Sequence, residues 1–208
     1  MPLYKTLKPN SQTLVKIWKI EESFSTLNKD LELLPDTLKR VSGMKSELHQ
    51  RGFLSVRHLL NEFGYQDTDL FYDENGKPHL KDGKYISITH SYIFSAVAVS
   101  DSPIGIDIEK QREKIAVIAN KFCDYEKNFL NDDGSEYIRQ LTLIWCVKES
   151  LYKLFAQPGL SFREHTLMIP CMLDDHFTNA WITFENHKQR YDIHFLEFEG
   201  FTCVYATP

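Results

Sequence analysis

An α+β protein built from two similar halves is what this sequence predicts, and three observations carry that expectation. Two long amphipathic helical stretches, Pro35–Phe63 and Glu136–Gln157, each lie next to several short strand-like runs. The connector Asp101-Ser102-Pro103 divides the 208 residues near the midpoint. The 14 Phe and 10 Tyr favour substantial β structure around the helices. Residues 1–102 and 103–208 are therefore expected to form an N-terminal and a C-terminal half, although no direct repetition links their sequences.

In the first half, the alternation in Leu14–Ile20 predicts a strand. Pro35 and Asp36 supply helix-start signals, and Leu48, Leu54, Leu59 and Leu60 mark an apolar stripe that Gly64 ends. Asn75-Gly76-Lys77-Pro78 has turn chemistry, and strands are expected at Tyr85–His90 and Phe94–Ser100. The second half begins with a strand at Ile104–Glu109, followed by a weaker helix near Ile115–Phe122 and a break at Asp132-Asp133-Gly134. Leu141, Ile144, Val147, Leu151, Leu154 and Phe155 recur at helical spacing until Pro158-Gly159 stops the helix. Strands are then expected at Thr166–Ile169, Ala180–Phe184, Tyr191–Phe198 and Phe201–Ala206.

Composition narrows the function classes. With 42% hydrophobic and 25% charged residues the chain has the balance of a folded globular protein. Its formal charge of −5 gives no overall basic field for nucleic acid or an anionic membrane. Charge is uneven: residues 1–60 hold 10 Lys and Arg against 6 Asp and Glu, while residues 61–136 hold 8 against 15. Such an imbalance could hold an anionic ligand bridged by a cation, and it is equally what two solvated faces would carry. Cys123, Cys146, Cys171 and Cys203 are too scattered for a zinc knuckle or a disulfide framework, which fits reduced thiols in a cytosol. The first residues lack a signal-type segment and the apolar run Ile93–Val99 is too short to span a bilayer, so a cytoplasmic protein is expected.

The strand Ile104–Glu109 points Ile104, Ile106 and Ile108 to one face and Gly105, Asp107 and Glu109 to the other. Two carboxylates separated by one residue lie roughly 6–7 Å apart at the backbone, a spacing suited to a hard divalent cation with oxygen ligands. Gly105 would leave room for a ligand. An isolated D-x-E more often marks a solvent-facing strand edge. On the long helix, Trp145, Glu149 and Lys153 are spaced by four and form one stripe with Lys148 beside them. A Glu and Lys four apart are commonly just a surface pair, but a tryptophan continuing that stripe is unusual for a solvated face. His90 ends a strand next to Ser91, where a hydrogen-bonded structural role is common. No G-x-S-x-G, Walker loop or G-x-G-x-x-G occurs, and no cysteine or serine nucleophile is supported.

Taken together, IGIDIEK at Ile104–Lys110 and WCVKESLYK at Trp145–Lys153, with 40 residues between Asp107 and Lys148, resemble the two signature motifs of the 4′-phosphopantetheinyl transferases. GKP at Gly76–Pro78 and SITHS at Ser87–Ser91 add to the resemblance, which runs from about Lys39 to Phe162. The length and two-half layout look like the longer, pseudo-dimeric, surfactin-synthetase-activator type branch. The resemblance implies transfer of the phosphopantetheine arm of coenzyme A to a serine of an apo acyl or peptidyl carrier protein, releasing 3′,5′-adenosine bisphosphate.

By the same resemblance, Asp107, Glu109 and Glu149 would hold Mg²⁺. Glu149 would also deprotonate the carrier serine, and Lys153 would neutralise the departing phosphate. Lys45, Lys77, Pro78, Thr89, His90, Asp107, Lys148 and Lys153 would contact the coenzyme, with its adenosine end in the first half and the metal and catalytic motifs in the second. Phe122, Phe129 and Leu130 between the motifs are candidates for carrier docking and equally for ordinary core. A monomer is expected, with no nucleic-acid or membrane partner. The competing expectation is a catalytically silent protein of the same fold that binds coenzyme A or a carrier protein.

Overall fold

Strand alternation shapes the first half in the computed structural model, which describes residues 3–130 and 134–208. The chain divides into two compact units, Met1–Ser102 and Pro103–Pro208. The first begins with strands β1 (Leu3–Asn10) and β2 (Thr13–Lys19), the second of which buries Val15, Ile17 and Trp18. Helices α1 (Phe24–Lys29), α2 (Pro35–Ser42) and α3 (Glu47–Glu62) follow, then β3 (Leu70–Tyr72), β4 (Pro78–Leu80), β5 (Tyr85–Ser91) and β6 (Phe94–Ser100). The main sheet has the antiparallel order β1-β2-β6-β5, and β3 pairs with β4 in a separate hairpin.

The single helix expected over Pro35–Phe63 is two helices. Pro35 occupies the first turn of α2, and Gly43 closes it by donating its N–H to the Lys39 carbonyl at 3.1 Å. The Gln50 side chain then donates to the carbonyl of Met44 (3.0 Å) and to that of Val41 (3.3 Å), which also accepts the Met44 N–H at 3.1 Å. Helix α3 packs on β2, β5 and β6 and buries Phe53, Leu54, Val56, Leu59 and Leu60. Leu48, placed in the apolar stripe by its spacing, is exposed. The chain turns out of α3 at Gly64 with φ +87°, a conformation that disfavours a Cβ.

The second unit contains β7 (Gly105–Lys110), α4 (Lys114–Ile118), α5 (Gly134–Phe155), β8 (Thr166–Met168), β9 (Phe177–Phe184), β10 (His187–Phe198) and β11 (Phe201–Thr207). Its antiparallel sheet runs β7-β11-β10-β9-β8. Helix α5 lies across β7 and β11 and buries Leu141, Ile144, Val147, Leu151 and Leu154, as its periodicity predicts. The helix expected at Ile115–Phe122 is shorter, since α4 gives way to a 3₁₀ turn at Ala119–Lys121. Of the expected break at Asp132-Asp133-Gly134, the two aspartates lie outside the described residues. Each unit is thus one long helix on an antiparallel sheet, the α+β class that the sequence predicts. Among the described residues no helix is long and apolar enough to cross a membrane.

Candidate active site

The packing of α5 on β7 starts at Gly105. A Cβ there would lie 1.9 Å from the Ser150 carbonyl oxygen and 3.0 Å from the Leu154 backbone nitrogen. The expectation that Gly105 leaves room for a ligand is therefore corrected: the space is filled by the backbone of α5. Three further contacts hold that face of the helix to the strands. Cys146 Sγ lies 3.6 Å from the Thr202 carbonyl, Ser150 Oγ donates to the Val204 carbonyl at 3.1 Å, and Lys153 Nζ donates to the Ile106 carbonyl at 3.0 Å.

That approach brings the two motifs together. Lys153 Nζ also donates to Asp107 Oδ1 at 2.7 Å, with 27% and 6% of the two side chains exposed. Burial works against the Lys153 charge, but Asp107 and then Glu149 outweigh it and hold the ammonium above the usual lysine range. Glu149 is half-buried one turn earlier. Burial first, and then the negative charges of Asp107 and Glu109, push its carboxyl up to about 7, with Lys153 opposing. Three carboxylates and one ammonium therefore share one electrostatic environment. Burial also lifts the Cys123 thiol to about 12 and raises those of Cys146 and Cys203, so none of the three supplies a thiolate.

Two residues of the helix motif have other duties. Lys148 is fully buried and pairs with the equally buried Glu126 at 2.8 Å. Its ammonium also donates to the carbonyls of Phe122 (2.7 Å), Phe162 (3.0 Å) and Thr166 (3.1 Å). Every donor of Lys148 is thereby committed inside the protein, which corrects its assignment to coenzyme binding. Trp145 packs edge-on against Phe122 and Phe162, with centroids 5.1 and 5.6 Å away, so it belongs to the core rather than to a polar stripe. Phe122 is itself fully buried, which settles it as core, while Phe129 and Leu130 are partly buried against the same core.

The coenzyme candidates of the first unit lie on three elements. Lys77, half-buried, sits in the turn before Pro78 opens β4, and its backbone N–H donates to Asp73 Oδ1 at 2.9 Å. Burial lowers the Lys77 ammonium and Asp73 counteracts it. Thr89 is buried and His90 exposed on β5, and strand alternation sends them to opposite faces. The His90 ring lies against α3, where a Cβ on Gly52 would be 3.0 Å from His90 Nδ1, and the His49 ring centroid is 6.5 Å away. Lys45 is exposed in the break between α2 and α3.

Sequence reasoning missed Asp73, Gly52, His49 and Glu126. Asp73 carries a readable signal, an Asx turn formed by Asp-Glu-Asn-Gly ahead of Lys77. The other three are defined only by partners far away in sequence.

Among the described residues no three His, Cys, Asp or Glu side chains are gathered closely enough to enclose a metal ion. The chemistry of Asp107, Glu109 and Glu149 nevertheless fits a hard divalent cation, since all supply oxygen and the first two raise the third by charge repulsion.

The chain is 28% identical to enterobactin synthase component D of Salmonella typhimurium over 161 residues, covering 73% of this chain and 68% of the relative. It is 26% identical to the 4′-phosphopantetheinyl transferase gsp of Aneurinibacillus migulanus, covering 73% and 65%, and 28% identical to the 4′-phosphopantetheinyl transferase psf-1 of Bacillus pumilus, covering 53% and 50%. The aligned part thus spans between half and about two thirds of those relatives. A family model described as the 4′-phosphopantetheinyl transferase superfamily matches residues 103–206, the unit in which Asp107, Glu149 and Lys153 converge, and the chain belongs to that superfamily.

Proposed function

We propose that this protein transfers the 4′-phosphopantetheine arm of coenzyme A to a serine hydroxyl of an apo acyl or peptidyl carrier protein. The observation that supports this most directly is the contact of Lys153 with Asp107 at 2.7 Å, which joins the helix motif to the strand motif with Glu149 one turn away on the same helix. Glu149 has a carboxyl near 7, while Lys153, beside it, is held protonated by Asp107. A partly buried carboxylate in this position can serve as a general base toward a hydroxyl. A persistently charged lysine offsets negative charge on a departing phosphate.

In this reaction the serine oxygen attacks the phosphorus attached to the pantetheine arm, and Glu149 takes the serine proton. The bond from that phosphorus to the bridging oxygen breaks, releasing 3′,5′-adenosine bisphosphate, and Lys153 compensates the charge that develops on it. Asp107, Glu109 and Glu149 would hold Mg²⁺, which when bound neutralises charge on the pyrophosphate oxygens. Lys77 and His90, with Lys45, Pro78 and Thr89, are the candidates for the adenosine end. The chain's division into two units, each an antiparallel sheet under one long helix, supports placement in the longer, two-half branch.

The test is intact-mass analysis of an apo carrier incubated with the protein, coenzyme A and Mg²⁺. The carrier should gain the mass of one phosphopantetheine. Binding of coenzyme A without any mass gain on acyl or peptidyl carriers would favour the silent-binder reading instead.

A further inference from the structure

The Glu149 carboxylate is influenced by burial and by the charges of Asp107, Lys153 and Glu109 but by no side-chain hydrogen bond, so its own contacts do not fix where it points. Its placement depends on the rotation of α5. On one side that rotation is set by Cys146, Ser150 and Lys153 against β7 and β11. On another side stands the cage around Lys148, the residue immediately before Glu149.

The cage gathers separate parts of the unit at one atom. Lys148 Nζ reaches the carbonyls of Phe122, Phe162 and Thr166 as well as Glu126 Oε1. Glu126 Oε1 also accepts the Met168 N–H at 2.9 Å, and its Oε2 accepts the Asp124 N–H at 3.3 Å. A fully buried ion pair is weak evidence for stability, because removing two charges from water offsets most of what their attraction returns. It does impose geometry, since each buried donor and acceptor must keep its partner.

We propose that the buried Lys148–Glu126 pair is a positioning device for the phosphopantetheinyl-transfer reaction, fixing the rotation of α5 so that the Glu149 carboxylate faces the Asp107–Lys153 pair. The proposal rests on the functional reading above. It assigns Lys148 no contact with substrate. Its effect runs through the helix backbone, and displacement of a reacting group by about 1 Å can cost on the order of a hundredfold in rate.

The experiment compares wild type with Lys148→Met, Glu126→Gln and the double variant, assayed with coenzyme A and an apo carrier at a temperature where melting curves show each protein folded. Glu126→Gln keeps the volume and an acceptor for the Met168 N–H, and it serves as the primary test where Lys148→Met does not fold. Each single variant should lower kcat at least tenfold while the KM for coenzyme A changes less than about threefold. The double variant should be no worse than the worse single one, because both changes break the same pair. A Lys148→Met protein with raised KM and unchanged kcat would make Lys148 a coenzyme contact and overturn the proposal. Folded single variants with wild-type kcat would reduce the pair to packing and overturn it as well. An inactive wild type would remove the functional reading and this proposal together, whereas an active wild type with unaffected variants removes the proposal alone.

Discussion

Lys153 and Asp107 meet at 2.7 Å across the line where α5 crosses β7, and the same ammonium also holds the Ile106 carbonyl. One side chain therefore fastens the helix to the strand and supplies the site's cation. Lys153→Met should leave the Asp107 carboxylate buried without its ion-pair partner, at a cost of about 3 kcal/mol in unfolding free energy. Denaturant titration checks that value. In the same variant kcat should fall more than the KM for coenzyme A rises, because the charge matters most as the leaving phosphate forms. A large rise in KM with unchanged kcat would make Lys153 a ground-state binder only.

Gly105 gives a prediction without any charge in it. Gly105→Ala would place its Cβ 1.9 Å from a backbone oxygen of α5, an atom that no side-chain rotation can move. The helix must lift from β7, and overpacking of this kind costs on the order of 3 kcal/mol. Transfer activity should fall even in molecules that remain folded, because Glu149 and Lys153 move with the helix. A Gly105→Ala variant with wild-type melting temperature and turnover would contradict the close approach.

Periodicity made the layers readable: the apolar spacing along α5 and the alternation in β2, β5, β6 and β7 are one-dimensional signals of burial. It failed at Gly43, where a helix end and a new start sit inside a continuous helical pattern, and Gln50 from the next helix donates to the carbonyls of Val41 and Met44. Asp107, Glu149 and Lys153 could be put forward together because the resemblance rests on two short segments, whereas the 2.7 Å contact between Asp107 and Lys153 depends on how α5 packs on β7. Lys148 was misread for a physical reason. Its role depends on Glu126 and on three backbone carbonyls, none of which can be located from the spacing of a helix. Trp145 stood out as unusual for a solvated face, and its partners Phe122 and Phe162, which give the reason, could not be located from spacing either.

For the adenosine end of the coenzyme, Lys77 and His90 should act separately from the catalytic helix. Lys77→Ala and His90→Ala should each weaken coenzyme A binding by about ten- to a hundredfold, the loss of one charge-assisted contact. Binding of a pantetheine fragment that lacks the adenosine bisphosphate should be unchanged. Calorimetric titration of both ligands decides it, and equal losses for the two would reassign these residues to structure.

The Glu149 carboxyl makes stability depend on pH in a direction that can be measured. Its folded value is raised from 4.5 to about 7, so the folded protein binds this proton more tightly than the unfolded chain does. Below about pH 4.5 the group is protonated in both states and costs nothing. As pH rises toward 7 the unfolded chain gains the free energy of ionisation first, and stability falls by about 3 kcal/mol before levelling off above pH 7. In chelator, the melting temperature should therefore drop across pH 5–7 through this group, and Glu149→Gln should flatten that part of the profile. Added Mg²⁺ should restore stability at pH 7–8 in wild type and much less in Glu149→Gln, because the cation favours the ionised carboxylate. The same substitution should lower turnover at least ~10²-fold, since an amide cannot accept the serine proton. A Glu149→Gln protein with the wild-type melting profile and wild-type turnover would reduce Glu149 and Lys153 to a surface pair, and the catalytic reading of α5 would fall.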